Sequence, residues 1–105
     1  MPQNPLQIRA AVHSLFNHVV EECFEFMLHH PEYEAEAQTI IAESSLAIRD
    51  LAAQVDQCTL PENTLSSLHQ EEILHHISEA AQERSMSLLQ MLQGLQNLVG
   101  TRPLG

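Results

Sequence analysis

Lysine is absent from this 105-residue chain, and so is tryptophan; four arginines face 14 aspartates and glutamates. The formal net charge of -10 offers no basic footprint to displace counterions from a nucleic acid, and the same deficit disfavours an anionic lipid surface. Basic proteins or metal cations are the natural counterparts. Glycine occurs only at positions 94, 100 and 105, too sparsely for a phosphate-cradling loop or a dinucleotide fingerprint, and no nucleophile elbow is present. No apolar run approaches the ~18–20 residues that span a bilayer. Met1 to Leu6 lacks the basic start and apolar stretch of a secretory leader, so the cytoplasm is the expected address. Cys23 and Cys58 do not form a metal-binding CxxC pair.

What remains is rich in Leu, Ala, Gln and Glu, a mixture that favours helices over strands. Asn4-Pro5 reads as an N-cap followed by proline at the first helical position, with Gln7 placed for a capping box. Pro31 stops or restarts the helix, Pro61 lies in the next turn, and Gly100 is the expected C-terminal stop. The pattern predicts helices over about 5–30, 31–57 and 63–99 with a loose tail at 101–105, all in one domain spanning 1–105. Val12, Phe16, Val19, Cys23 and Met27 recur at steps of three and four. So do Ile40, Ser44, Ala47, Leu51 and Val55, and so does the row Ile73, Ile77, Ala80, Arg84, Leu88, Met91, Leu95 and Leu98. No segment alternates at period two. The expected fold is all-α: an antiparallel bundle of three long helices.

Two features suggest that one chain does not complete this bundle. At ~1.5 Å per residue the third helix is about 54 Å long against about 40 Å for each of the others. It is therefore expected either to break near Arg84-Ser85-Met86-Ser87 and return as a fourth helix, or to project towards a partner. In addition, the apolar arc of the first helix runs from Leu15 through Val19, Cys23 and Met27 to Val20, Phe24 and Leu28, wider than one core face requires. These excesses point to completion by dimerisation, or by another protein, with Val20, Phe24, Leu28, Leu89 and Leu92 as the interface.

The cysteines sit on apolar stripes. In a hairpin about Pro31 they are offset by some 28 Å along the axis, beyond disulfide reach. They read as small buried hydrophobes rather than nucleophiles.

Seven histidines are the other abundance. His18, Glu22, Glu25 and His29 share one face of the first helix; His69, Glu72, His76, Glu79 and Glu83 share one face of the third; Glu36, Glu43 and Asp50 recur every seven residues in the second. Glu and His at i, i+3 or i, i+4 can bind one cation from a helix. Glu72-Ile73-Leu74-His75 resembles the Glu-x-x-His unit of ferritin-like bundles, which carry two such units where this chain has one. A metal site would draw on Glu22, Glu25, Glu72, His75 and His76, hold iron, manganese or zinc, and need a second chain to complete it. The competing account is ordinary: Glu and His at these spacings stabilise a solvated helix flank. A histidine phosphotransfer module ranks behind both, since such domains usually place Lys and Gly just after the histidine and none of the seven has them.

The expected role is a small acidic helical interaction module, adaptor- or chaperone-like, non-enzymatic, without a cofactor, and homodimeric or bound to another protein. The alternative is a carboxylate/histidine metal-binding bundle of oxidase or storage type.

Overall fold

A computed structural model of the chain describes residues 4–58 and 67–101. The order is α1 (Pro5–His29), a single 3-10 turn (Pro31–Tyr33), α2 (Glu34–Cys58) and α3 (Ser67–Thr101), and there is no strand among the described residues. Asn4 caps α1: its side-chain oxygen accepts from the Leu6 N–H at 2.8 Å, and Pro5 occupies the first turn, where its missing N–H costs nothing. Pro31 has no N–H to continue the ladder, so α1 ends with the His30 N–H donating to the Phe26 carbonyl at 2.8 Å. Phe26, His30 and Tyr33 then cluster, with Phe26 ring centroids 5.2 Å from His30 and 6.0 Å from Tyr33, and fix the angle at which the chain reverses.

Each helix packs against the other two, up–down–up. Arg9 pairs with Asp56, which sets α1 antiparallel to α2. At one end of α3 the Gln70 amide donates to the Cys58 carbonyl at 3.2 Å, and farther along Arg84 lies 4.0 Å from Asp50. At the other end Val99 shares a groove with Phe26 and His30. So α3 runs alongside α2 from Cys58 back to the Pro31 turn. The third helix therefore does not break. It is one unbroken 35-residue element through Arg84–Ser87, and it passes Gly100 to end at Thr101. The expected start at 63 and the tail beyond Thr101 fall outside the described residues.

The core is a seam of residues at alternating steps of three and four: Ile8, Val12, Phe16, Val19, Cys23 and Phe26 from α1, then Ala37, Ile40, Ser44, Ala47, Leu51, Val55 and Cys58 from α2. From α3 come Leu74, Ile77, Ala81, Ser85, Leu88 and Leu92. Buried Ser44 and Ser85 return their hydroxyl protons to carbonyls of their own helix, Ile40 at 2.9 Å and Gln82 at 3.0 Å, so neither leaves an unpaired polar atom. The molecule measures 63 × 19 × 15 Å with a radius of gyration of 17.1 Å, against about 13 Å for a compact domain of this length. A rod this thin has one core seam and leaves the outer side of every helix in solvent.

Candidate functional site

The two ends of the rod differ in charge. Between Ala10 and Ile48 the chain carries seven glutamates and no arginine or lysine, and α3 carries no charged residue from Ser85 to Thr101. These stretches meet at the Pro31 end. Arg9 stands towards the far end and Arg49 and Arg84 nearer mid-length; Arg9 and Arg84 pair with Asp56 and Asp50, while Glu71, Glu72, Glu79 and Glu83 keep the first half of α3 acidic. Exposed ion pairs of this kind add little stability, and each cancels only its own two charges.

Apolar surface is exposed at the acidic end. Phe24 is 51% exposed and Leu28 81%, and with Met27 and Pro31 they line a shallow groove of about 330 Å³ whose remaining wall is Glu34. On α1, Glu21 and Glu25 border the patch on the side of Leu28, roughly 20–60° farther round the helix. A second apolar groove, about 270 Å³, lies between α2 and α3 and is lined by Glu36, Thr39, Ile40, Met91 and Leu95. Met91 remains about half exposed there, and so does Leu98 two turns farther along α3. Of the five interface residues expected from sequence, Phe24 and Leu28 are exposed, while Val20 and Leu89 are half-buried, Leu89 packing against the core. Leu92 is a correction: at 2% exposure it belongs to the α3 core row, because that row runs through Leu74, Ala81 and Ser85 rather than through Ile73, Ala80 and Arg84. Met91 and Leu98, read from sequence as core positions of α3, supply the missed surface; their distance from the true row was the available signal.

The residues expected to bind a metal do not converge within one chain. Glu22, Glu25, His29 and His30 line a groove of about 270 Å³ with Phe26, Gln96 and Val99 at the Pro31 end. Glu72, His75 and His76 lie on the other half of α3, and His75 is 21 residues before Gln96, which is about 32 Å of helix. The five residues proposed as metal ligands thus fall into two sets at opposite ends, and among the described residues no group of three His, Cys, Asp or Glu is placed to hold a metal ion. His75 is held instead by Glu79, 2.9 Å away one turn later, with its ring 6.3 Å from that of His76; His30 lies 3.5 Å from Glu32. The first is a helix-surface pairing of the ordinary i, i+4 kind, and the second belongs to the Pro31 turn.

Both cysteines are free and buried. Burial, reinforced by the negative charge of Glu22, pushes the Cys23 thiol up to about 11. Such a thiol is inert near neutrality, and its titration has a consequence for stability. Below pH 9 the thiol is protonated whether the chain is folded or not; above pH 9 the unfolded chain releases the proton first. Between pH 9 and 11 the wild type is therefore expected to lose up to about 1.4 kcal/mol per pH unit more than Cys23→Ala. Urea melts of the two proteins across that range check it, and parallel curves would show that Cys23 ionises normally in the fold.

No helix among the described residues is long and apolar enough to cross a membrane. No family model, curated protein or solved structure matches the chain.

Proposed function

We propose that this chain is a small acidic protein-interaction module, adaptor- or chaperone-like, that docks an apolar helix of a partner at the Pro31 end of its bundle. The observation that carries the reading is the exposure of Phe24 and Leu28 one turn apart beside Met27 and Pro31, although the core beneath them is complete without them. A large aromatic and a leucine left in water on a rigid, already folded helix are the usual anchors of helix-in-groove recognition. Methionines nearby suit a surface that must accept varied apolar shapes. The double variant Phe24→Ala/Leu28→Ala is expected to keep wild-type helicity and melt within about 0.5 kcal/mol of it, as surface changes do. It is expected also to weaken binding of an amphipathic helical peptide by about tenfold or more, the cost of losing two anchors. Isothermal titration against such a peptide, with circular dichroism on both proteins, checks both halves. Unchanged affinity would move the docking surface elsewhere.

A further inference from the structure

The partner's chemistry follows from what borders the apolar patch. Phe24, Met27, Leu28 and Pro31 are flanked by Glu34 on one side and by Glu21 and Glu25 on the other, and the separate Met91/Leu95 groove between α2 and α3 is edged by Glu36. Among the described residues, no lysine or arginine occurs between Ala10 and Ile48 or from Ser85 to Thr101 to offset them. A second copy of this chain docked here would set one group of glutamates against an identical group, and an acidic or anionic partner would meet the same repulsion. We propose, resting on the reading above, that the occupant is a basic amphipathic helix of another protein. Its apolar residues, one turn apart, seat against Phe24 and Leu28, while its Lys or Arg side chains reach Glu21, Glu25 and Glu34 at the rim. The spacing fits: anchors four residues apart on α1 stand about 6 Å apart along the axis, which is the rise between successive apolar positions on an approaching helix. The apolar contacts hold the complex, and the carboxylate rim selects the partner and speeds its arrival.

The test uses the full chain and two synthetic helical peptides of identical Leu pattern, one with Lys and one with Glu on the polar face, plus a scrambled Lys peptide without an apolar face. The Lys helix is expected to bind about tenfold or more tighter than the Glu helix at low salt, with the preference shrinking as salt rises. The exposed triple variant Glu21→Gln/Glu25→Gln/Glu34→Gln should erase most of that preference, whereas Phe24→Ala/Leu28→Ala should weaken the Lys helix as well as any residual binding of the Glu helix. If both helices bind equally and Phe24→Ala/Leu28→Ala weakens both, the docking surface stands and the charge assignment falls. If the scrambled Lys peptide binds as well as the amphipathic one, or binding ignores Phe24 and Leu28, attraction is to the acidic rod at large and both readings fall. A wild-type dimer in sedimentation that dissociates in Phe24→Ala/Leu28→Ala would name a second copy as the occupant and overturn the proposal.

Discussion

Ser85→Pro is expected to destabilise the protein by about 3 kcal/mol or more, whereas Ser85→Ala leaves it nearly unchanged. Ser85 sits in the middle of the 35-residue α3, 3% exposed, with its hydroxyl bonded only to the Gln82 carbonyl one turn back. Alanine discards that bond but exchanges a middling helix former for the best one, and it leaves no polar partner stranded outside the helix's own ladder. Proline removes the backbone donor as well and drives its ring into the carbonyl of Ala81, itself a buried position facing the other helices. The helix cannot absorb the resulting kink by bending into solvent, because it is tied at both ends: Gln70 to Cys58, and Val99 to the Phe26–His30 groove. For a domain near 100 residues each kcal/mol shifts the midpoint by about 4–8 °C, so the proline variant should melt more than about 12 °C below the alanine variant. Thermal melts followed by circular dichroism compare them directly. Equal midpoints would mean that the chain turns at Ser85 and forms a fourth helix there.

That helix is also where sequence and structure part company, and the reason is specific. In α2 the apolar positions form one row, and Ile40, Ser44, Ala47, Leu51 and Val55 are all buried as their spacing implied. In α1 the row holds from Val12 to Cys23 and then shifts from Met27 to Phe26, because the reversal at Pro31 places Phe26 against His30 and Tyr33. In α3 apolar residues occupy two neighbouring rows, and the sequence favours the wrong one. Ser85 interrupts the true row and looks polar, although its hydroxyl is satisfied within the helix; Arg84 interrupts the false row and reaches out to Asp50. Spacing on a single helix gives direction but not height relative to its neighbours. Height is set here by pairs such as Arg9–Asp56 and Gln70–Cys58, 47 and 12 residues apart in the chain, which no periodicity reveals. Hence Glu22, Glu25, Glu72, His75 and His76 share a residue chemistry and helical spacing in sequence, yet lie at opposite ends of the rod. Phe24 and Leu28 needed no such register: an arc too wide for one core face marked them from α1 alone.

Phe16→Ala tests the core seam itself, with an expected cost of about 3–5 kcal/mol. Phe16 is the largest side chain with no exposed surface in the described core. Counting from the Arg9–Asp56 and Arg84–Asp50 pairs, it stands at roughly the level of Ala47, Leu51 and Ser85, where two of the three facing residues are small. The ring therefore occupies space that α2 and α3 leave, and truncating it opens a void that three helices tied at both ends collapse into only in part. In a rod only 19 × 15 Å in section there is no second layer to share the loss. Stability of a domain this size is about 5–15 kcal/mol, so the variant should lose about a third to a half of a mid-range value, with a urea midpoint lowered in proportion and little change in the slope of the transition. Phe16→Leu, which keeps most of the volume, should recover the larger part of the difference. The contrast with Phe24→Ala, about two turns farther along the same helix, is the sharper check. Two phenylalanines of equal hydrophobicity should differ by about 3 kcal/mol or more when truncated, one because the fold needs it and the other because only a partner does. Equal losses at the two positions would place Phe24 in the core and remove the basis for a docking surface at that end.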